Sequence, residues 1–443
     1  MLPDYLAKAV PNPMGKRAPW YANTAPTYAG IFLWIAFYQQ MAGGTLQHGG
    51  LGLCLVALAV AGILSYALFY RVPAMLGMKT GFPLYVVGSS TFGTAGGYVM
   101  PGLLMGLLQI GWFAVGTFYA SDYILKGMGM ESKPGTLSFG IVCVLWGGAM
   151  AFAGAKGVQY VSRIALFLNA IPLLMLIAVL FQTSGGIAKY QVASAQENSF
   201  GAFTTMIAIV IGFFATAGAA GADFGMNARD ERDVRWGGLV GVTLAVIVAG
   251  GLPLLAVAGA HGGGLSQAWD FGPVVKDIGG PVASAMLFLF AIASIPASCF
   301  CAFIAGNSFN TMIPSVPRVS STMAGAAVGV LLAITGVAAD LAGFFGIVGA
   351  SFGPIIGAMV AEYLLAGKKW AGPREGVNLA GYIAWALGLI VGLLPSSVSP
   401  LSPEMKSYVQ PAVVYSFIVG FGVYYVLAKA GLQPKSVAMP KAA

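Results

Sequence analysis

Two residues suited to binding a flat ring stand three positions apart in an apolar stretch, Gln109 and Trp112. Residues three apart share one face of a helix, so both side chains are expected to point the same way. Tryptophan in membrane proteins usually lies at the water interface, whereas Trp112 falls near the centre of its run. We interpret the pair as an aromatic plate beside a hydrogen-bonding amide, with Gly116 leaving space next to the indole. The alternative is a packed tryptophan whose neighbouring amide bonds to another helix.

Polar side chains also interrupt the first apolar run, where Gln39 and Gln40 are followed by the small residues of 42–44. Two adjacent amides inside a membrane span are costly unless they bond to something.

The eighth run carries Ser294 and Ser298 on one face, with Pro296 between them. Their hydroxyls could coordinate a small cation together with the carbonyl that proline frees, or they could merely patch a proline kink.

The sixth apolar run, 202–224, contains only small side chains from 215 to 222 and two glycines that weaken a helix. Phe213 and Phe214 precede this stretch, and Asp223 follows it. A helix that softens at mid-membrane exposes backbone groups to protein, water or ligand, as in the discontinuous helices of secondary transporters. The alternative is close helix packing through small residues.

Two acids, Asp223 and Glu362, lie nearest to the membrane interior and are functional candidates by default. Gating salt bridges or simple solvation explain these acids at least as well as proton carriage does, so their role stays open. The chain has no phosphate-binding loop, no nucleophile elbow and no metal-ligand spacing among its two histidines and four cysteines. We therefore predict that the protein is neither an enzyme nor an ATP-driven pump. We also predict that it needs no cofactor and no metal beyond a coupling ion, and that an ion gradient drives transport.

Composition defines a polytopic membrane protein, because 58% of the 443 residues are hydrophobic and only 8% are charged.

The stretch from Lys79 to the third run is rich in Gly, Ser and Thr, which indicates a lead-in or partly re-entrant segment ahead of the third span. Charge-free windows predict twelve spans, near 27–46, 51–70, 98–122, 136–155, 160–182, 202–224, 237–259, 281–307, 321–339, 341–365, 378–395 and 409–428.

Lysine and arginine set the predicted orientation. With the N-terminus in the cytoplasm, seventeen of the 22 basic residues fall on the cytoplasmic side. Both termini are then cytoplasmic, and we expect an integral protein of a bacterial-type inner (cytoplasmic) membrane. The same asymmetry accounts for the net charge of +8 without a nucleic-acid partner.

The interrupted first and sixth spans lie five spans apart, which predicts an all-α, five-plus-five inverted-repeat transporter fold with two appended helices. The predicted divisions are a cytoplasmic N-terminal segment, a first repeat of helices one to five, a second repeat of helices six to ten, the appended pair and a cytoplasmic tail. Their bounds are 1–26, 27–182, 202–365, 378–430 and 431–443.

Four stretches from the first span to the tenth resemble the nucleobase–cation symporter family, and most closely its cytosine permease branch. They are GGTL at 43–46, LQIGWFAVG at 108–116, IGFFATAGAAGADF at 211–224 with Asn-Ala-Arg at 227–229, and GPIIGAMVAEYL at 353–364. The resemblance implies twelve helices in the inverted-repeat fold and uptake of a flat heterocycle driven by sodium or protons.

Carried over by position, the resemblance implies that Trp112 stacks the ring, Gln109 bonds its edge and Phe214 closes the other face. Further substrate contacts are implied for Gln39 or Gln40 and for the backbone around Phe213 to Ala217, which includes Thr216; Ser294 is a further candidate. A sodium site would use carbonyls of the first span around Ala36 to Gln39 and the hydroxyls of Ser294 and Ser298. The branch carries an asparagine and a threonine pair in the eighth span, whereas 293–298 here reads ASIPAS without an amide.

The sequence therefore predicts secondary active uptake of a nucleobase or related flat nitrogen heterocycle by cation symport with alternating access. The missing amide leaves the substrate and the choice between sodium and protons open. The alternatives are a carrier for a vitamin-precursor pyrimidine, a hydantoin or allantoin, and an uncoupled facilitator. The expected partners are the small heterocycle and the lipid bilayer, with no nucleic acid and no obligatory protein partner.

Overall fold

The structure is a computed structural model that describes residues 2–156, 168–192, 197–313, 315–397 and 399–439. The described chain is almost entirely helical, with two isolated β-bridges, Ala18 to Ala228 and Arg374 to Ser436. This confirms the predicted all-α class.

Nine helices among the described residues are long and apolar enough to cross a membrane, and two further apolar helices are shorter. With the broken first segment, they are consistent with the twelve predicted spans. The predicted fifth span begins at 160, outside the described residues. The helices in chain order are α1 Thr24–Phe32, α2 Ile35–Tyr38, α3 Leu51–Thr80, α4 Tyr98–Gly127, α5 Leu137–Lys156, α6 Ala170–Lys189, α7 Ser199–Ala219, α8 Gly221–Gly225, α9 Glu231–Gly262, α10 Phe271–Ile278, α11 Gly280–Ala293, α12 Ile295–Met312, α13 Arg318–Ile334, α14 Leu341–Leu365, α15 Leu379–Leu393 and α16 Ala412–Lys429.

The first span is interrupted, as predicted, but its main break lies earlier in the chain. Trp34 has extended backbone angles, φ −71° and ψ 133°, between α1 and α2. The glutamine pair follows α2 and leads into the one-turn helix Met41–Gly44. Glutamine is a good helix former, so its amides do not themselves force a break when they find partners.

The sixth span keeps its helix further than predicted. α7 is continuous to Ala219, and the interruption before α8 is the single residue Ala220. The sixth span is interrupted within the small-residue run, as predicted, but the interruption comes late in that run, because alanine is the strongest helix former. The two glycines serve close packing instead: a Cβ on Gly218 would lie 3.0 Å from the Cβ of Phe69 on α3, and one on Gly221 would lie 3.2 Å from the Tyr70 carbonyl oxygen.

Hydrogen bonds between connecting segments define two ends of the bundle. At one end Arg17 donates to the carbonyls of Met78 and Ala228, and Asn12 donates to that of Met226. We call this the terminal face, because the N-terminal segment lies on it. At the other end, the distal face, Tyr190 donates to the carbonyl of Leu46.

The predicted lead-in segment is confirmed as two one-turn helices, Leu84–Val87 and Ser89–Phe92, which precede α4. α4, α7 and α14 are buried along most of their length and form the centre of the bundle, whereas α5 and α6 lie at its outside. The appended helices α15 and α16 pack against α14. The predicted division into two repeats stays a prediction.

Close backbone contact between α14 and α16 yields a stability prediction. A Cβ on Gly420 would lie 2.4 Å from the Cα of Pro354, so Gly420→Ala should force the helices apart. Such overpacking costs about 1–3 kcal/mol, which should lower the midpoint of thermal unfolding in detergent. Gly422→Ala on the same helix is the control, because a Cβ there meets nothing within 4 Å. Equal midpoints for the two variants would contradict the packing described here.

Candidate substrate site

Trp112 lies at the centre of a buried cluster of aromatic rings that comes from four helical segments. Its own exposed fraction is 4%. Phe213 of α7 meets the indole edge-on, with ring centroids 5.2 Å apart, and Phe344 of α14 does so at 4.8 Å. Phe345 and Trp34 each lie at 5.6 Å in tilted orientation. The predicted aromatic plate is therefore enclosed by rings, which are the partners that a flat heterocycle prefers.

One hydrogen bond fixes the orientation of the Trp112 ring. Its indole N–H donates to the hydroxyl of Thr216 over 3.2 Å. The Thr216 hydroxyl keeps its own proton, which it can donate to a ligand. The structure thus brings Thr216 into the ring cluster at the position that the sequence indicated.

Phe214 and the backbone of 213–217 do not lie where the sequence analysis placed them. Phe214 packs against Phe32, with centroids 5.4 Å apart and planes at 22°, and against Tyr28 at 5.6 Å. Adjacent residues differ by about 100° around a helix, so Phe213 rather than Phe214 faces Trp112. The carbonyl of Ala217 accepts a hydrogen bond from Tyr28 over 2.8 Å. Because α7 is intact here, the expectation that this backbone reads the ring is not supported.

Gln109 lies one turn before Trp112 on α4 and is buried. Among the described residues, its amide N–H donates to the thioether of Met105 over 3.6 Å. A thioether is a weak acceptor, so the carboxamide keeps most of its hydrogen-bonding capacity. This is what an amide needs if it is to bind the edge of a ring, and that role stays a prediction.

Gly116 is the point at which the first, third and eighth spans meet. A Cβ at this position would lie 2.7 Å from the Ser298 hydroxyl oxygen and 3.1 Å from a ring carbon of Trp34. Trp34 and Ser298 therefore occupy the space that Gly116 provides. The sequence predicted that this space would lie beside the Trp112 indole. Trp34 was missed, although its central position in an apolar run is the same feature that singled out Trp112.

Two polar atoms beside Gly116 are buried and have no hydrogen-bond partner among the described residues: the indole nitrogen of Trp34 and the hydroxyl oxygen of Ser298. Leaving such a group unpaired costs about 1–3 kcal/mol. A buried donor and a buried hydroxyl together indicate a place where a polar ligand or an ion completes the bonding.

The other predicted cation ligands are placed less tightly. Ala36 is fully buried in α2, directly after the break at Trp34. The Ser294 hydroxyl donates to the Phe290 carbonyl over 3.1 Å, at the junction of α11 and α12. Its lone pairs stay available to a cation, since donation uses only the proton. Coordination by Ala36, Gln39, Ser294 or Ser298 stays a prediction.

Both glutamines of the first span bond to segments of the distal face. The Gln39 carboxamide oxygen accepts from the Tyr123 hydroxyl and from the Gly272 N–H, while the Gln40 amide donates to the Ala339 carbonyl. Their roles in binding substrate stay predictions. Each carboxamide has bonding capacity beyond these bonds, since an amide offers two donors and an acceptor oxygen with two lone pairs.

The two intramembrane acids lie towards the terminal face. Glu362 is buried and ion-paired with Arg374 at 2.7 Å, and it accepts from Tyr424 and Gln433. This favours the salt-bridge interpretation over proton carriage. Asp223 accepts a long, 3.4 Å hydrogen bond from the Leu84 N–H. The described residues contain no group of three or more His, Cys, Asp or Glu arranged to hold a metal ion.

A cavity of about 440 Å³ opens at the distal face. It is lined by Gln47 of the first span, by residues 189–192 after α6, and by the end of α9 with the following loop. Trp269 in that loop stacks on His261, with centroids 3.8 Å apart. The cavity thus lies on the distal side of the span that carries Gln39.

The first span is broken next to a buried ring cluster, and unpaired polar atoms lie where three of the described spans meet. This arrangement is typical of a secondary transporter for a small polar ring. The comparisons with known proteins agree. The family model described as "Permease for cytosine/purines, uracil, thiamine, allantoin" matches residues 10–420. The chain therefore belongs to this permease family.

Individual relatives extend the agreement over most of the chain. The cytosine permease of Escherichia coli (strain K12) is 24% identical over 391 residues, covering 84% of this chain and 86% of the relative. The putative allantoin permease of the same strain is 24% identical over 471 residues, covering 92% of each. The solved structure of Mhp1, a nucleobase-cation-symport-1 family transporter in a closed conformation with bromovinylhydantoin bound, aligns with a TM-score of 0.68 and 18% identity, covering 97% of this chain and 96% of that one.

These findings confirm the inverted-repeat transporter fold and the family that the sequence motifs indicated. The protein is therefore an integral membrane permease of the family that carries nucleobases and related heterocycles, and it is not an enzyme.

The ring cluster yields a prediction about binding. Trp112→Ala removes the central ring and should weaken binding of the transported base by about tenfold or more, since base–aromatic stacking is worth about 1–3 kcal/mol. Binding of a radiolabelled base to the purified protein measures the effect. Trp112→Phe should be milder, and Trp236→Ala, at a side chain 42% exposed, is the control. Unchanged affinity in a folded Trp112→Ala protein would remove Trp112 from the site.

Proposed function

We propose that this permease takes up a nucleobase or closely related single-ring heterocycle together with sodium. The ring is held in the cluster around Trp112 and Phe213, with Trp34 on its third side. The single observation that carries the proposal is the pair of unpaired buried atoms beside Gly116, the Trp34 indole nitrogen and the Ser298 hydroxyl oxygen.

The hydrogen-bonding groups around the cluster suit a small ring with both donors and acceptors at its edge. Gln109 supplies an amide that can donate and accept, and Thr216 supplies a hydroxyl proton. The relatives' names point to cytosine and allantoin, and Mhp1 binds a hydantoin. The eighth span here offers serines where the cytosine permease branch has an amide. The substrate is therefore either cytosine in a different hydrogen-bond arrangement or a related pyrimidine, hydantoin or allantoin.

Sodium is the proposed coupling ion. Ser298 offers a buried oxygen without a partner, and Ser294 offers a second one on the same face of the eighth span. Carbonyls between Ala36 and Gln39 would complete the oxygen ligands that a hard cation prefers. Proton coupling would need Asp223 or Glu362 to carry the proton. Glu362 is a poor carrier, because its carboxylate already bonds to Arg374, Tyr424 and Gln433.

The terminal face is proposed to be cytoplasmic, in a bacterial-type inner membrane. Most of the lysines and arginines lie in segments at that end, as the positive-inside rule requires. The distal cavity then opens to the outside and provides the entry side for uptake. No protein partner is needed for this cycle.

The role of Gln109 gives a prediction about selectivity. Gln109→Met keeps the length of the side chain but cannot pair with the ring edge, and a buried partner left unpaired discriminates strongly. We expect the best substrate to lose at least about tenfold in affinity, and an analogue without the bonded ring atom to lose far less. Competition against a labelled base measures both affinities. Gln182→Met, at an exposed position, is the control. Equal losses for substrate and analogue would assign Gln109 to structure.

The coupling ion gives a second prediction. If sodium binds with substrate, substrate affinity rises with sodium and sodium affinity rises with substrate by the same factor. Ser298→Ala should remove this dependence before it removes substrate binding in proteoliposomes, whereas Ser184→Ala, at an exposed site, should not. Affinity that ignores sodium but shifts with pH would replace sodium by protons, with Asp223 the first acid to neutralise. Saturable uptake that responds to neither ion would leave an uncoupled facilitator.

A further inference from the structure

Two adjacent residues of the first span, Gln39 and Gln40, hold two separate connecting segments of the distal face. Gln39 bonds to the start of α10, the short helix Phe271–Ile278 that joins α9 to α11. Gln40 bonds to Ala339, in the single helical turn Val337–Ala339 that joins α13 to α14. Neither segment belongs to a membrane span, so both are covers that lie over the distal ends of the spans.

Gln39 acts as the cap of α10. Asp270 stands at the N-cap position but makes no side-chain capping bond. The first two N–H groups of the helix, those of Phe271 and Gly272, instead donate to Gln39, one to its carbonyl over 2.9 Å and one to its carboxamide oxygen over 3.0 Å. Free N–H groups at a helix start require such partners. The beginning of α10 is therefore satisfied by the first span.

Two tyrosines of α4 complete the arrangement from the other side. Tyr123 donates to the carboxamide oxygen of Gln39, and Tyr119, one turn earlier, donates to the Ala339 carbonyl over 3.0 Å. The turn Val337–Ala339 is thus bonded to Gln40 and Tyr119, whereas α10 is bonded to Gln39, which Tyr123 bonds in turn. Gly272 makes this possible, because a Cβ there would lie 2.7 Å from the Tyr123 ring.

The position of these bonds suits a barrier between the distal cavity and the ring cluster. Trp269, which lines the cavity, precedes Phe271 by two residues, and its Cβ lies 3.4 Å from where a Cβ on Gly43 would stand. On the inner side, Trp34 and Gln39 flank the four-residue helix α2. The segment that Gln39 holds therefore adjoins the cavity through Trp269 and the break next to the ring cluster through α2.

We propose that Gln39, Gln40, Tyr119 and Tyr123 form a clasp that holds the distal face closed, and that opening this face requires the clasp to break. Gln39 is then a positioning residue for the transport step. The inference rests on the proposed function only for the direction in which the barrier works. Two adjacent glutamines are costly in a membrane span. In this proposal Gln39 and Gln40 offset that cost by bonding to both connecting segments.

The consequence for the transport cycle is a shift in population. If these bonds form only when the distal face is closed, as the proposal states, removing them must increase the fraction of distal-open molecules. Apolar contacts also hold α10, since Phe271 packs on Tyr38 with centroids 5.2 Å apart. Loss of the clasp should therefore populate the open state without unfolding α10.

The test measures the distance between α10 and the loop after α4 by pulsed electron spin resonance. Spin labels at Lys276→Cys and Lys133→Cys report it, because both positions are exposed and the four native cysteines are buried. The measurement is made on substrate-free full-length protein in nanodiscs. We expect a short distance in the parent protein and a second, longer population after Tyr123→Phe or Gln39→Leu.

Gln39→Glu separates the clasp from a direct substrate role. Glutamate keeps an acceptor oxygen for Tyr123 and Gly272 but loses the amide donor, so it should restore the short distance. Tyr382→Phe is the control, since it deletes a tyrosine–carbonyl bond, to Gly96, away from the clasp. If Gln39→Leu does not fold, Tyr123→Phe decides the question.

Unchanged distances in Tyr123→Phe and Gln39→Leu would overturn the clasp. Because no substrate is added, this result does not depend on whether a nucleobase is the cargo. Failure of the proposed function would appear separately, as absence of base binding in the parent protein.

Discussion

The site depends on the close approach of three helices at Gly116. Only a residue without a side chain lets the Ser298 hydroxyl and the Trp34 ring reach the same point on α4. The break in the first span lies at the same place, because Trp34, whose ring reaches Gly116, has the extended backbone that separates α1 from α2. The ring cluster around Trp112 is then assembled from four helical segments, with Trp34 forming the wall next to Gly116.

Buried polar groups differ in whether they have hydrogen-bond partners, and the difference matters at the candidate site. Glu362 near the terminal face and Gln39 near the distal face each bond to a connecting segment and to a tyrosine of a neighbouring helix. Such groups fasten parts of the fold, because unpaired polar atoms in a membrane are costly. The Trp34 nitrogen and the Ser298 oxygen are buried, and among the described residues neither has a hydrogen-bond partner. They lie where the cargo and its ion are proposed to bind, and binding would satisfy them.

Much of this arrangement was predictable from the sequence, and the failures have physical causes. Apolar runs and family motifs gave the fold, and helical spacing placed Gln109 beside Trp112. The small residues of 215–222 predicted a broken sixth helix, yet alanine confines the interruption to Ala220 and the glycines serve packing. Phe213 and Phe214 could not be told apart, because their helical phase relative to α4 is set by tertiary contacts. The glutamine pair identified the right segment but not its bonds, since long-range partners such as Gly272 leave no local pattern.

The central claim is that the transported ring binds among Trp34, Trp112 and Phe213. A structure of the purified protein with a brominated base bound, chosen as the base that most raises its thermal stability, tests this directly. The account predicts that the ring stacks on Trp112, with Gln109 and Thr216 at its edge and with its bromine density within the cluster. Density for the base in the distal cavity, with the Trp112 cluster unchanged and empty, would contradict it.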